Sequence, residues 1–382
     1  MGTQVVPRSR RRSSTAASEK IRYAVVGLGH IAQAAVLPAF RHARLNSVLS
    51  ALVSGDRKKL VALGRRYRVP HLYTYDQYDR CLGSGLLDAV YLALPNHLHE
   101  PYAVRAARAG VHVLCEKPLA LSEQECRRMI AAAARHDVKL MTAYRLHFDA
   151  ANMAAVQEIA KGRIGEPRMF QSVFSLQVKP GNIRVKRRFG GGPLWDIGIY
   201  CVNAARYLFR DEPVEVFAFS ASNGEARFRE VEEMVSATLR FPHDRLAIFA
   251  CSFGATDLSA YEVVGTKGVL RLDQAYEYAL PIKQTITVNG KATSRTYPKR
   301  DQFAPQLLHF SDCILNHRQP RPSGEEGLRD VRIIRALYRS AETGRPVALA
   351  AVPDTERPSR RHVSTKPPVR KPREFRATPP SQ

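Results

Sequence analysis

Ile21-Arg22-Tyr23-Ala24-Val25-Val26-Gly27-Leu28-Gly29-His30-Ile31-Ala32 runs from a β-rich stretch through two glycines into a helical pattern that continues to Phe40. Strand, tight turn and helix in that order make G-x-G-x-x-A a dinucleotide fingerprint, which two glycines alone would not be. Gly27 permits the turn and Gly29 lets backbone approach a pyrophosphate. His30 and Ile31 open the helix whose N-terminus faces that anion, and Ala32 keeps helix and strand close.

Working outward, the run Ser47–Val53 predicts the next strand, which ends near the adenosine ribose of such a cofactor. A site selective for NAD places a carboxylate there to accept from the ribose 2′-hydroxyl. Here the chain offers Ser54-Gly55-Asp56-Arg57-Lys58. Ser54 takes the acidic position, with Gly55 beside it, and Arg57 or Lys58 is positioned to pair with a 2′-phosphate, so the residues favour NADP over NAD. A strand from Leu87 to Leu94 delivers Pro95-Asn96-His97-Leu98-His99, and a strand from Val111 to Leu114 delivers Cys115-Glu116-Lys117-Pro118. A last strand, Lys139–Ala143, ends in Tyr144-Arg145. Ligands of open α/β sheets collect at these carboxyl ends. Pro95, Asn96, His99 and Glu116 are therefore candidate cofactor contacts, and Lys117 is the first candidate for chemistry. Alternating strands and helices predict a doubly wound, parallel Rossmann sheet over residues 21–143.

Beyond Asp149–Ile159, which is helical in pattern, alternating β-rich runs follow without intervening helices, separated by turns such as Asn223-Gly224. They predict a second, α+β domain over residues 144–350, built on an open, mostly antiparallel sheet. Within it Gly190-Gly191-Gly192 opens a helix on which Asp196, Tyr200 and Asn203 recur at i, i+4 and i+7, so that one face carries all three.

The 382 residues carry 59 Lys and Arg against 35 Asp and Glu, a net +24. Residues 1–20 and 352–382 hold roughly nine of those charges, and the second of these segments carries seven prolines. Both read as disordered, a basic arm (1–20) and a basic Pro-rich tail (351–382). The excess suits anionic partners. No basic helix with interleaved aromatics or zinc-finger spacing is present, so nucleic acid is not expected as the partner, and no metal site is expected. Six cysteines without a C-x-x-C pair read as reduced residues of a cytoplasmic protein, and no apolar window is long enough to span a membrane.

Together, Gly27-x-Gly29-x-x-Ala32, Pro95-Asn96-x-x-His99, Glu116-Lys117-Pro118, Gly190-Gly191-Gly192, Asp196-x-Gly198-x-Tyr200, Arg206-Tyr207-Leu208 and Gly324-Glu325-Glu326-Gly327 resemble the Gfo/Idh/MocA oxidoreductases over residues 21–348. The glucose-fructose oxidoreductase branch is the most similar, since many relatives have histidine where Tyr200 stands. The resemblance implies a bound nicotinamide cofactor, a pyranose or polyol substrate, and a homodimer or homotetramer formed through the outer sheet face. It also implies that Lys117 is the catalytic lysine and that Asp196 and Tyr200 are the active-site pair. On this reading Tyr200 exchanges a proton with the sugar hydroxyl, Lys117 supports it, Asp196 orients Lys117, and Tyr144, Arg187, Arg188 and Asn203 hold the ring. Two other outcomes stay open: redox-assisted glycoside hydrolysis or epimerisation with the same cofactor, and a cofactor-sensing regulator without catalysis.

Overall fold

A computed structural model describes residues 20–352, 357–370 and 372–381. The expected N-terminal arm lies almost wholly outside these residues. The first sheet contains β1 (Ile21–Val26), β2 (Ser47–Val53), β3 (His71–Tyr73), β4 (Ala89–Leu92), β5 (His112–Glu116) and β6 (Leu140–Ala143), in the order β3-β2-β1-β4-β5-β6. Every pairing is parallel. The central strands are apolar on both faces because helices cover both, as a parallel sheet requires. The order reverses between β1 and β4, so the crevice at their carboxyl ends opens beside the glycine turn.

The second sheet contains β7 (Pro167–Ser175), β8 (Glu215–Ala221), β9 (Met234–Phe241), β10 (Arg245–Ser252), β11 (Leu258–Gly265), β12 (Gly268–Asp273), β13 (Ile282–Val288), β14 (Lys291–Tyr297) and β15 (Val347–Ala348). Its order is β14-β13-β12-β11-β7-β10-β9-β8-β15, and all pairs are antiparallel except β7 with β10. The strands alternate buried and exposed side chains, because one face packs on helices and the other is open.

Two helices late in the chain tie the halves together. Ala304–Leu315 returns to the first sheet, where Ser311 Oγ lies 2.7 Å from the Tyr23 hydroxyl and 2.8 Å from Ser47 Oγ. Gly324–Thr343 packs beside Ile199–Phe209, and the two are pinned by Arg206. This fully buried guanidinium donates to Glu212 (2.7 and 2.9 Å), Asp330 (2.6 Å) and Glu326 (3.1 Å). Arg206→Met would take the buried cation from Asp330 and leave Glu212 and Glu326 to Arg357 and the more distant Arg329, and is expected to lower stability by about 3–5 kcal/mol in urea denaturation. A loss below about 1 kcal/mol would mean that solvent or other cations replace Arg206.

The tail departs from expectation. Its described residues form one short 3₁₀ turn, Arg360–His362, yet they lie against the body through several bonds. Arg357 Nη1 is 2.7 Å from Glu212, Arg360 donates to Gln157 (2.8 Å), and Glu374, Phe375 and Arg376 bond His30, Gln33 and Asp56. Low hydrophobicity argues for disorder, but a basic strand can be held by carboxylates and backbone bonds along a groove.

Candidate active site

One cavity of about 750 Å³ lies between the carboxyl ends of the first sheet and the inner side of the second. That is the size of a ligand site. The glycine turn forms one wall. Gly27 has φ +92°, and a Cβ there would sit 2.4 Å from the Ala93 carbonyl oxygen, so no other residue closes this turn. A Cβ on Gly29 would meet nothing within 4 Å, so backbone at this point is open to the cavity. His30 and Ile31 line it, and Ala32, fully buried, packs beneath. These features fit a dinucleotide pyrophosphate.

At the end of β2, Ser54 faces the cavity, but Arg57 and Lys58, expected to take a 2′-phosphate, are exposed outside it, as is Gly55. Lys59 lines the cavity in their place. Asp56 caps the following helix by accepting from the Lys59 backbone N–H (3.0 Å), and the first helical turn then carries Arg57 and Lys58 outward. Pro95 and Asn96 line the cavity as expected, with the Asn96 amide donating to the Gly190 carbonyl (2.8 Å). His99 does not reach it. Its ring is fully buried, with nitrogens 2.8 and 3.0 Å from the Pro118 and Leu94 carbonyl oxygens, so it braces the two loops that carry Asn96 and Lys117.

Opposite the glycine turn, β5 delivers Glu116 and Lys117. The Glu116 carboxylate accepts from the Tyr91 hydroxyl (2.7 Å), and burial pushes its pKa up despite Lys117 and Arg145. Lys117 Nζ donates to the Asp196 carbonyl oxygen (2.6 Å) and to Asp196 Oδ1 (3.1 Å), and lies 4.7 Å from the Tyr200 ring centroid. Arg145 lies 5.0 Å from the same centroid. The Tyr200 ring is thus bracketed by two cations. Asp196 Oδ2 accepts from Arg184 Nε at 2.6 Å. Burial would raise the Asp196 carboxyl, but Arg184 and then Lys117 outweigh it and hold the group well below the usual carboxylate range. Burial likewise favours neutral Lys117, yet Tyr200, Asp196 and Glu116 hold its pKa above the ordinary lysine value. Lys117 is therefore an ammonium at neutral pH, a donor that has no lone pair for a proton.

Several expected ring contacts lie elsewhere. Tyr144, 3% exposed, stacks on His147 in the core, and its neighbour Arg145 faces the cavity. Consecutive residues at a strand end point to opposite sides, and the apolar ring takes the dry one. Arg187 turns away to Glu230, and Arg188 lies on the Phe189 ring, exposed; of this loop's arginines it is Arg184 that lines the site. Asn203 is buried, accepting from His147 (2.8 Å) and donating to Asp330 (2.9 Å). Its helix begins with a π turn, Leu194–Gly198, whose extra residue slips the face, so that Asp196 and Tyr200 reach the cavity while Asn203 turns into the core. Gly191 lies on the same wall, where a Cβ would sit 2.3 Å from the Arg184 carbonyl oxygen.

Among the described residues no group of His, Cys, Asp and Glu could hold a metal ion, and no helix is long and apolar enough to cross a membrane. All six cysteines are free and buried.

A glycine-turn sheet joined to an open antiparallel sheet, with a lysine and a tyrosine meeting in the cleft between them, defines a two-domain oxidoreductase with a nicotinamide site. The particular family follows from comparison: residues 21–144 match the oxidoreductase family with an NAD-binding Rossmann fold, and residues 153–271 match the GFO/IDH/MocA C-terminal domain, so the chain belongs to the Gfo/Idh/MocA family. It is 31% identical over 345 residues to D-xylose 1-dehydrogenase [NADP(+)] of Haloarcula marismortui, covering 88% of this chain and 96% of that one. Among solved structures, aldose-aldose oxidoreductase from Caulobacter crescentus complexed with glycerol superposes with a TM-score of 0.83 at 39% identity, covering 87% of this chain and 100% of that chain. KijD10, a 3-ketoreductase from Actinomadura kijaniata in complex with NADP and TDP-benzene, gives 0.78 at 28% identity, covering 84% and 98%.

Proposed function

We propose that this protein is an NADP-dependent sugar oxidoreductase, passing hydride between the nicotinamide and a carbon that bears a hydroxyl of an aldose in pyranose form or of a polyol. The observation that carries the reading is that the open glycine turn and the Lys117, Asp196 and Tyr200 group face one cavity. Relatives named as a xylose dehydrogenase using NADP and as an aldose-aldose oxidoreductase support it. So does the rest of the lining: Phe174 and Tyr276 offer aromatic faces to the C–H side of a ring, and Asp257 and Glu277 offer carboxylates to its hydroxyls.

When bound, the cofactor supplies the hydride acceptor. The chain must then move one proton from the substrate oxygen as the carbonyl forms. Tyr200 takes that proton as its phenolate and ends as the phenol; in the reverse direction the phenol gives the proton back. Lys117 and Arg145, beside its ring, stabilise the negative charge that the phenolate carries before the transfer and that the substrate oxygen carries during it. Asp196 holds Lys117 in place through two bonds, and Arg184 holds Asp196. His99 positions the loops from beneath. The exposed apolar side chains on the outer face of the second sheet, among them Met169, Val173, Leu246, Ile248 and Phe219, suit a second copy of the chain, as a homodimer or homotetramer. The free, buried cysteines fit a cytoplasmic location.

The test is to denature purified protein, identify any nicotinamide released, and screen aldoses and polyols with NADP by absorbance of the reduced cofactor. Aldose or polyol oxidation with NADP is expected. If no aldose, polyol or keto-sugar changes the redox state of either nicotinamide cofactor, the proposal fails.

The charged group sets a pH dependence. The Asp196 carboxyl is depressed, so its contribution to stability is present above the unfolded value of about 3.9 and lost as pH falls through the lower folded value. Lys117 is raised, so its contribution is present below about 10.4 and lost only above that. Asp196→Asn is therefore expected to cost roughly 2–4 kcal/mol, constant from about pH 5 to 8 and shrinking below about pH 4. Urea denaturation across pH checks this, and a difference that grows toward acid would contradict it.

A further inference from the structure

The C-terminal segment crosses the mouth of the cofactor cleft, and it touches the elements that the adenosine half of a dinucleotide would touch. The Arg373 carbonyl accepts from Arg66 (2.6 Å). The Glu374 carboxylate lies 2.9 Å from His30 Nδ1, and Phe375 exchanges two backbone bonds with the Gln33 amide, at 2.8 and 3.0 Å. Arg376 Nε then donates to Asp56 Oδ2 at 2.6 Å, and the Pro379 and Pro380 carbonyls accept from Asn182 and Lys179 on the substrate side. The segment is thus anchored on both sides of the cleft. It leaves the 750 Å³ cavity open beneath it, with Arg376 to Ser381 as its outer wall.

At the end of β2 this brings together Ser54, Lys59 and Arg376, all facing the cavity. Asp56 stands outside it, fixed by its cap bond to Lys59 N–H and by Arg376. A hydroxyl and two cations, one of them a guanidinium fork, are what a phosphate monoester on the ribose requires. Arg376 is also in left-handed backbone, φ +50°, which a non-glycine residue keeps where its neighbours hold it. The sequence alone assigned this role to Arg57 and Lys58, which are outside the cavity.

We propose that residues 373–381 are a built part of the cofactor site, and that Arg376 reads the adenosine 2′-phosphate with Lys59 and so sets the preference for NADP over NAD. This rests on the NADP reading given above. The test compares dissociation constants of NADP and NAD by calorimetry for the full chain, Arg376→Ala, Lys59→Ala and a chain ended after Arg370. Arg376→Ala is expected to weaken NADP about 10- to 100-fold and NAD less than about threefold, since only the charge-assisted contact is lost. The shortened chain should lose at least as much of the preference.

If Arg376→Ala and the shortened chain weaken both cofactors equally, keep the preference, or tighten both, the inference is overturned; tightening of both would make the segment a plug over the cleft. Loss of preference in Lys59→Ala but not in Arg376→Ala overturns the tail's role and leaves the NADP reading standing. A full chain that binds NAD at least as well as NADP overturns the NADP reading and this inference with it.

Discussion

Tyr200→Phe is expected to lower kcat about 10²–10⁴-fold in the oxidation of the best aldose or polyol while leaving the cofactor dissociation constant nearly unchanged. The substitution removes one oxygen and keeps the ring, so the packing of Tyr200 on Phe174 and Tyr276, at centroid distances of 5.7 and 5.9 Å, is preserved. What is lost is the hydroxyl, the group of the Lys117, Asp196 and Tyr200 set that the mechanism uses to exchange a proton with the substrate oxygen. Lys117 is held as an ammonium by its neighbours, and Asp196 is held as a carboxylate by two cations. Steady-state turnover and calorimetry on the same preparation measure both halves of the prediction. Near-normal turnover in Tyr200→Phe would transfer the proton to another carrier, such as a water held by Lys117.

Lys117→Met is expected to cost a similar factor, about 10²–10⁴ in kcat, for a different reason. Methionine fills much of the space, so the cavity wall stays. The charge facing the developing oxyanion goes, and Asp196 loses one of its two partners, keeping Arg184. Because the lysine contributes charge, Lys117→Arg should recover part of the activity if the guanidinium can be accommodated, whereas a variant lacking charge should not. Equal turnover in Lys117→Met and Lys117→Arg, measured under saturating cofactor, would show that charge at this point is not what matters.

The first sheet was legible because each of its signals is local. A glycine turn after a fully apolar strand, and polar residues just past each strand end, follow from chain geometry within a few residues. Lys117, Asp196 and Tyr200 could be chosen for the same reason, together with a family resemblance that spans most of the chain. Misplaced residues failed where a parity or a phase decided the outcome. At the end of β6, whether Tyr144 or Arg145 meets the cavity depends on a single alternation, and an apolar ring next to an arginine is the available hint. In the first turn after Asp56, three successive basic residues point in three directions, and only the last one faces inward. Asn203 was misplaced because the π turn Leu194–Gly198 carries no distinct sequence mark, so an α-helical count of seven residues overran the true phase. Arg184 stands in a single 3₁₀ turn, Ile183–Val185, too short to show a period. The tail was misjudged on composition. Prolines and charges forbid a core of its own, but they do not prevent its docking on one that already exists, where Val363 packs against the core and the Phe375 backbone bonds Gln33.

The second domain contributes more than a lid to the chemistry, since the two halves are joined by a continuous core and by helices that return to the first sheet. Arg206 and its three carboxylates fix the helix that carries Tyr200. The phenol therefore arrives at Lys117 from a rigid element, which is what a proton relay across a domain boundary needs.

The most direct measurement is a double-mutant cycle on Lys117→Met and Tyr200→Phe, read as single-turnover hydride transfer at saturating NADP and sugar. If the ammonium and the phenol act as one unit over one substrate oxygen, the double variant will be nearly as active as the slower single variant, because the second substitution removes what the first has already disabled. Fully multiplicative losses would show two groups working independently and would contradict the account.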